Sequence, residues 1–546
     1  VENFGTLSGT VTVTTREPER GFHSDVDLSV GSWEHFKGAA TLTGGGDRIR
    51  ALATISLEES NQYKDGDGND FAEQIKAYDP NTPAGYQPLY DNLKAYEKNS
   101  FLGKLDFDIT ADQVLKLSYT ANRSDEVLYP SSPMDALYDD SDLFTLNYGI
   151  SRLGQWSEEL NFEYYYSSVD HPMSNLYRLS SGPDSANEKI HHLKTKMQGA
   201  KIKNRMTLSD GTMLLVGLDF SRRNWDGKFE GKGMASMIDG FVSIDDVDTT
   251  NRAIFVEAEK SFANVNLRIG ARYDDTSIEP AGKQPSNDYT GFGAFVFGTW
   301  AITETSSLFA GIGRSQRVPD ARELYIRMPV MGGMTIGNPD LDQTTNHEID
   351  LGMEMDSDQF YLKAKVFYSW LDNFIFYNDS KGMYRFENMD ATLYGFSIDG
   401  NWSFTDNLYL DFGLAYQRGR KDDPLVGQTD TDMPEIPPLK GNLALNWEYM
   451  PKSLFRAELI ASDSWTNYDE DNGEQALDAW TVLNLNVRHQ LTGRIVLLGG
   501  IDNVFDETYA VSNTYKDLTL IEAGGNEVIL MNEPGRYFYL NATYSF

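Results

Sequence analysis

The chain has 546 residues, and its 47 lysines and arginines against 82 aspartates and glutamates give it a formal net charge of −35. Cysteine is absent, which excludes disulfide scaffolds and cysteine metal clusters. The acidity argues against a nucleic-acid partner, because phosphate contacts need a basic face. Apolar residues make up 40% of the chain and aromatic residues 12%, which argues against a disordered polypeptide.

The chain opens on Val1-Glu2-Asn3, with no charged-then-apolar signal peptide, and we therefore expect a processed or truncated product. A run of about 18 apolar residues, the length of a transmembrane helix, does not occur in the sequence. A membrane location stays open, because a transmembrane strand needs only about 10 residues and only alternate ones face lipid.

Apolar and polar residues alternate along most of the chain, which predicts strands rather than helices. In one such segment the apolar face carries Leu214, Val216, Leu218 and Phe220, and the opposite face carries Gly217 and Asp219. Many runs reach about 10–14 residues, longer than the roughly 5–6 residues of strands in soluble sandwiches. Roughly 22 runs follow one another, a number that suits a large membrane barrel. The last three are residues 475–489, 494–508 and 535–546.

Short and long connections alternate between these runs. The short ones lie at residues 208–211, 405–407, 451–452 and 492–493, and the long, acidic ones at 60–99, 125–142, 222–250, 420–437 and 463–476. Short turns at one rim and long loops at the other are typical of outer-membrane proteins. We predict an all-β fold, a transmembrane antiparallel β-barrel of about 22 strands. A lumen that wide needs a plug, which favours a transporter over a porin of about 16–18 strands.

Several motifs occur in a fixed order along the chain. They are FGTLSGTVTVTTREP at residues 4–18, RVPDARELY at 317–325, GNPDL at 337–341, IPPLKGN at 436–442, GIDNVFDETY at 500–509 and the terminal Phe546. Together they resemble the TonB-dependent outer-membrane receptor family over nearly the whole chain.

The resemblance implies a division of the chain into two parts. Residues 1–18 would be the remnant of the last plug strand and its linker, and residues 19–546 the transmembrane β-barrel with long extracellular loops. The globular plug of the family would be absent from this chain. The implied location is the bacterial outer membrane. The implied partners are outer-membrane lipid, a plug domain or separate plug polypeptide and a TonB-type energy-coupling protein, with no nucleic acid.

Residues 169–178 resemble the copper-receptor branch of that family, in which a His-x-Met pair sits at the metal site. The resemblance makes His171 and Met173 candidate ligands, and Met134 matches a Met-Asp position of the branch. Imidazole and thioether both suit a soft ion such as Cu(I), and strand positions i and i+2 face the same side. The alternative is a strand end with a lumen-facing histidine and an incidental methionine. That branch also takes ligands from the plug, including a cysteine, which this chain lacks.

Further methionines fall in Gly-rich segments, namely Met234, Met237, Met328, Met331 and Met334. Two interpretations fit them: a relay that passes a soft metal inward by ligand exchange, and apolar side chains that pack on one another. The adjacent pair His191-His192 is a poor chelate, because neighbouring strand residues point to opposite faces.

The acidic loop at residues 65–70 has the look of a calcium site but departs from the EF-hand pattern, so calcium binding and a solvated turn both stay open. The acidic runs at 139–142 and 469–471 are expected to be solvated loop faces that concentrate cations at the mouth. The sequence has neither a Gly-x-Ser-x-Gly elbow nor a His-Glu-x-x-His motif, and we expect no enzyme and no required cofactor.

The resulting hypothesis is a transporter barrel for active uptake of a scarce substrate, copper or a related metal ion. A receptor for an iron-siderophore or another organic chelate is the first alternative, with Tyr90, Tyr138 and Trp225 as ligand contacts. A passive porin that works without a plug is the second.

Overall fold

The structure is a computed structural model that describes residues 2–7, 9–154, 156–330, 333–378, 385–511, 522–523, 527–528 and 530–546. The first strands are β1 (Gly21–Gly31), β2 (Phe36–Gly45), β3 (Ile49–Asn61), β4 (Lys94–Thr110), β5 (Gln113–Val127), β6 (Asp135–Tyr138), β7 (Asp140–Gly154), β8 (Ser157–Ser174), β9 (Lys189–Thr207), β10 (Met213–Gly231), β11 (Val242–Phe262), β12 (Val265–Glu279), β13 (Asn287–Ala301) and β14 (Ser306–Arg317). The remaining strands are β15 (Arg327–Val330), β16 (Gly333–Ile336), β17 (Thr344–Asp356), β18 (Phe360–Asn378), β19 (Arg385–Thr405), β20 (Leu408–Lys421), β21 (Lys440–Met450), β22 (Ser453–Ser462), β23 (Trp480–Gln490), β24 (Ile495–Asp502), β25 (Glu522–Ala523), β26 (Glu527–Val528) and β27 (Tyr537–Ser545).

Helical segments are short and lie in the connections. They are α1 (Phe71–Tyr78), α2 (Ala321–Tyr325) and the 3-10 turns Leu179–Ser181, Pro183–Ser185, Gly233–Ile238 and Glu470–Asn472. Within the described ranges, none of the helices has both the length and the apolar character needed to cross a membrane.

The described strands include 22 that close into an antiparallel barrel, which confirms the predicted fold class. These are β1 to β5, β7 to β14, β17 to β24 and β27. The barrel closes where β1 pairs with β27, in a register that runs from Asp25 opposite Ser545 to Gly31 opposite Tyr539. The short strands β6, β15 and β16 belong to the long connections and extend the same sheet.

Short turns lie at one rim of the barrel and long connections at the other. The predicted short turns are confirmed: β19 ends at Thr405 and β20 begins at Leu408, while β21 and β22 are separated by two residues. The opposite rim carries the connections at residues 62–93, 128–139, 175–188, 318–343 and 463–479. This arrangement places the loops together at one mouth of the barrel.

The two faces of the strands differ as the alternation predicts. On β10, Leu218 and Phe220 are 54% and 42% exposed on the outside of the barrel, whereas Asp219 between them is buried. Arg272 on β12 donates to Asp219 Oδ2 at 2.8 Å on the lumen side. Apolar side chains outside and ion-paired side chains inside are the pattern of a barrel in lipid.

The chain before β1 crosses the lumen. Near its start, Glu2 forms an ion pair of 2.8 Å with Lys203 on β9. Near its end, Glu17 forms one of 2.9 Å with Lys104 on β4. Because β9 and β4 stand apart around the wall, residues 2–7 and 9–17 lie in the barrel interior.

The strands β10 and β11 are longer than the sequence suggests. Residues 222–250 are predicted to be a loop, but β10 continues to Gly231 and β11, with 21 residues, begins at Val242. Charged pairs replace apolar residues on the outer face in this part, as Arg222 Nη2 and Asp248 Oδ2 lie 2.5 Å apart. The hairpin therefore continues beyond the apolar band, where its outer face meets water rather than lipid.

Two of the long connections share a buried charged cluster. Lys421 at the end of β20 and Asp469 in the connection 463–479 have fully buried side chains, with Nζ and Oδ2 3.0 Å apart. Glu474 accepts hydrogen bonds from the backbone N–H groups of Asp469 at 2.8 Å and Glu435 at 2.7 Å. The prediction that residues 469–471 form a solvated face is wrong for Asp469, because the adjacent loop covers it.

Burial raises the pKa of Glu474 to about 8 and that of Asp469 to about 6. A carboxyl whose pKa is higher in the folded state than in the unfolded state does not destabilise the fold below its ordinary pKa, which is 4.5 for Glu474. Stability is lost as the pH rises from that value through the raised pKa. We therefore expect the packing of residues 422–439 against 463–479 to weaken as the pH rises toward 8. The equilibrium for loop opening should shift by up to about tenfold per pH unit.

Hydrogen exchange of these two loops at pH 6 and pH 8, corrected for intrinsic exchange rates, measures this effect. In Glu474→Gln, which cannot ionise, protection should be nearly the same at both pH values. Equal pH dependence in the variant and the parent would contradict the assignment to Glu474. The helix α1 in another loop serves as an internal reference.

Candidate metal centre

His171 and Met173 lie on the lumen face at the loop end of β8. The pairing of β8 with β9 has no register shift, and Glu163 stands opposite Lys201. Lys201 Nζ donates to the backbone oxygen of Glu2 at 2.7 Å inside the lumen. Since side chains two residues apart share a face, residues 163, 171 and 173 point the same way.

Met134 reaches the same place through the short strand β6. This strand pairs with β8, so that Ala136 stands opposite Met173 and Asp135 opposite Ser174. Met134, Ala136 and Met173 form one buried cluster, and their exposed fractions are 9%, 0% and 7%. The two thioether side chains, 39 residues apart in sequence, therefore pack in one cluster.

Tyr129 connects this cluster with His171. Its side chain packs against the cluster, and its ring centroid lies 5.6 Å from that of His171, with the two ring planes at 89°. His171 Nδ1 lies 3.5 Å from Asp139 Oδ2, and the His171 side chain is 23% exposed. Tyr129 thus lies beside both the buried cluster that holds the two thioethers and the imidazole of His171, and the imidazole is the most exposed of the three candidate ligands.

This donor set is soft. In the part of the chain that the structure describes, no group of three or more His, Asp or Glu side chains is arranged to hold a metal ion. Thioether and imidazole donors favour ions such as Cu(I) over hard cations. The ligand roles of His171, Met173 and Met134 stay predictions.

The residues that support this cluster give little signal in the sequence. Asp135 and Arg178 are both fully buried and form an ion pair of 2.6 Å, although each lies in a polar loop segment of the sequence. Loop charges are usually solvated, and their burial here depends on contacts between loops far apart in sequence. The signal in the sequence is limited to the position of Asp135 next to Met134.

The other methionines do not form a single group. Met328 is buried in an apolar cluster with Leu324 and Phe386, as an apolar side chain would be. Met234 and Met237 are 75% and 86% exposed on the 3-10 turn Gly233–Ile238. Met334 stands opposite Pro329 in the β15–β16 hairpin, and Met331 lies outside the described residues. A metal relay along these residues stays a prediction.

His191 and His192 point to opposite faces of β9. The His191 ring is buried, stacks on Phe229 at 4.0 Å and has its Nε2 2.6 Å from Ser243 Oγ. His192 Nε2 lies 3.3 Å from Glu230 Oε1. The two imidazoles therefore have separate partners.

The acidic loop at residues 65–70 uses its carboxylates for local structure. Asp65 Oδ1 accepts from the backbone N–H groups of Asp67 at 3.1 Å and Asn69 at 2.8 Å, and its Oδ2 accepts from Asn532 Nδ2 at 2.9 Å. Asp70 caps α1 by accepting from the Glu73 N–H. Calcium binding by this loop stays a prediction from the sequence alone.

Comparison with known proteins identifies the family. The family model for the TonB dependent receptor-like beta-barrel matches residues 60–504. The vitamin B12 transporter BtuB of Photobacterium profundum is 23% identical over 421 residues, which cover 74% of this chain. They cover 58% of that transporter, so the chain spans less than two thirds of its length.

Solved structures share the fold. The copper transporter OprC superimposes with a TM-score of 0.81 at 21% identity, covering 97% of this chain and 82% of that one. The FrpB iron transporter from Neisseria meningitidis (F5-1 variant) gives 0.73 at 13% identity, covering 97% and 83%. The siderophore receptor PirA from Pseudomonas aeruginosa gives 0.64 at 15% identity, covering 97% and 81%.

These relatives are named as transporters and receptors, which agrees with the expectation that the chain is not an enzyme. The match of the family model over most of the chain agrees with the closed barrel of 22 strands in the described residues. The chain therefore belongs to the TonB-dependent receptor family and is a protein of the bacterial outer membrane.

Proposed function

We propose that this barrel takes part in active uptake of a soft metal ion, copper as Cu(I), through a site formed by His171, Met173 and Met134. One observation carries the proposal: the buried cluster that holds Met134 and Met173 packs on Tyr129, whose ring centroid lies 5.6 Å from that of His171, at the loop end of β8. The structural likeness to a protein named as a copper transporter supports the same substrate.

The surroundings of His171 suit ligation through one ring nitrogen. The carboxylate of Asp139, 3.5 Å from Nδ1, favours the tautomer that carries its proton on that nitrogen. Nε2 then keeps its lone pair for a metal ion. The two methionines add neutral, polarisable donors that suit a monovalent soft ion. Because they do not neutralise its charge, the ion is held less tightly than it would be by carboxylates.

The transport step follows from family membership. The partners we propose are outer-membrane lipid around the barrel, a plug domain or separate plug polypeptide in the lumen, and a TonB-type energy-coupling protein that moves the plug. Acidic loops at the mouth would raise the local concentration of cations before they reach the site.

A receptor for an iron-siderophore or another chelate is less well supported. Of its expected contacts, Tyr90 packs its ring against Tyr177 at 5.1 Å, and Trp225 packs on the apolar cluster around Phe229. Both aromatic rings are therefore engaged in packing contacts within the chain. A passive porin is disfavoured by membership of a family of energised receptors.

We expect the double variant His171→Gln/Met173→Leu to bind Cu(I) more weakly by over a hundredfold. The loss should exceed the roughly 10- to 100-fold that removal of residues supporting metal ligands costs. Competition with a chromogenic Cu(I) chelator, on the purified complete protein in detergent, measures the affinity. Unchanged affinity would refute the metal assignment and leave the transporter family intact.

Leucine conserves the volume of Met173, so the substitution should cost less than about 1.5 kcal/mol of stability. Alanine would cost about 2–5 kcal/mol at this buried position and would confuse folding with ligation. His192→Gln/Met389→Leu is a matched control, because His192 lies 3.3 Å from Glu230 and Met389 is 6% exposed in a different cluster. It should bind Cu(I) as the parent does.

Growth of cells under copper limitation and under iron limitation distinguishes a copper transporter from an iron-chelate receptor. Cells that depend on the His171→Gln/Met173→Leu protein should grow slowly when copper is scarce and normally when iron is scarce. The reverse result would favour the iron-chelate receptor. Conductance of the complete protein in a planar bilayer tests the porin, which predicts a permanently open channel.

A further inference from the structure

Asp135, Arg178 and Tyr86 form a fully buried contact that we call the loop clasp. Arg178 donates from Nε to Asp135 Oδ2 at 2.7 Å and from Nη2 to Asp135 Oδ1 at 2.6 Å. The Tyr86 hydroxyl donates to Asp135 Oδ1 at 3.0 Å, and the guanidinium lies 3.9 Å from the centre of the Tyr86 ring. Both charged side chains have no exposed surface.

The loop clasp joins three connections at the mouth of the barrel. Tyr86 belongs to residues 62–93, Asp135 to residues 128–139 and Arg178 to residues 175–188. Arg178 Nη1 also donates to the backbone oxygen of Ala84 at 2.9 Å. All three nitrogen atoms of the guanidinium therefore have partners on two other segments of the chain.

The loop clasp also touches the candidate metal centre at two points. Asp135 lies between Met134 and Ala136, which are both members of the buried cluster with Met173. The backbone of Tyr129 is held from both sides, since its N–H donates to Asp135 Oδ1 at 2.8 Å and its oxygen accepts from Arg178 Nη2 at 3.0 Å. Tyr129 in turn meets the His171 ring.

A buried ion pair is an expensive way to hold loops together. Removing two charges from water is costly, and apolar residues of similar volume often give equal or greater stability. What such a pair provides is direction, because a bidentate carboxylate and guanidinium fit in one relative orientation. In the loop clasp this fixed orientation also constrains Met134, the chain neighbour of Asp135, and Tyr129, whose backbone is bonded to both charged side chains.

We infer that the loop clasp is a positioning device that holds Met134 and Tyr129 against His171 and Met173 of β8, in the geometry required by a soft metal ion. This inference rests on the proposed function. Asp135 and Arg178 would not touch the ion; they act through Met134 and through the Tyr129 backbone. Loss of the device should weaken metal binding even where the loops remain folded.

The test replaces the charged pair by apolar residues in Asp135→Leu/Arg178→Met, which keeps the site filled and removes its directional bonds. We expect Cu(I) affinity of the complete protein to fall by about 10- to 100-fold while the thermal midpoint stays the same or rises. X-ray absorption at the copper edge should report fewer sulfur ligands in the variant than in the parent.

The matched control is Lys421→Met/Asp469→Leu, a second fully buried ion pair between other loops at the same mouth. It should leave Cu(I) affinity and the sulfur count unchanged. An equal loss of affinity in the control and in the loop-clasp variant would show a general effect of loop packing and overturn the inference. Parent-like affinity and sulfur count in the loop-clasp variant would also overturn it.

A milder variant guards against misfolding. Tyr86→Phe removes only the hydroxyl that donates to Asp135, and it should weaken Cu(I) binding by a smaller factor than the double substitution. Adding the loop-clasp substitutions to His171→Gln/Met173→Leu should cause little further loss, because two of the three proposed ligands are already gone; a fully additive loss would contradict the inference. The proposed function fails separately, if His171→Gln/Met173→Leu itself binds copper as the parent does.

Discussion

The whole molecule depends on the hydrogen bonds between its first and last barrel strands. In lipid no water is available to satisfy backbone N–H and C=O groups, so a sheet can span the membrane only when it has no free edge. The pairing of β1 with β27 removes that edge. Every other feature follows from the closed wall: a polar lumen, a lipid-facing apolar surface, and two rims that can differ in loop length.

Closure also decides where a binding site can be rigid. A strand in a closed sheet is held by neighbours on both sides, and β8 carries His171 and Met173 on such a strand between β7 and β9. Met134 comes from a connection, and its position depends on contacts among loops. The candidate centre thus combines two donors fixed by the barrel with one donor fixed by a buried ion pair.

The sequence predicts the barrel well, because alternation is a local property. Leu218 and Asp219 face opposite sides of β10 as their order along the chain requires. It predicts the loop region poorly, because burial there arises between segments far apart in sequence. Asp469 lies in an acidic segment that is typical of a solvated loop, yet its side chain is fully buried beside Lys421. Likewise, the spacing of His171 and Met173 indicates a shared face, whereas nothing in the spacing brings Met134 or Tyr129 to them.

The period-two pattern of β10 limits how such a chain can evolve. One residue inserted before Leu218 would turn Asp219 and Ser221, both buried on the lumen side, toward lipid and would turn Leu218 and Phe220 inward. A deletion would do the same. Insertions and deletions are therefore tolerated in the connections but not in the barrel strands. New substrate specificities must arise by changes in the loops, while the inward and outward alternation of the strands stays the same.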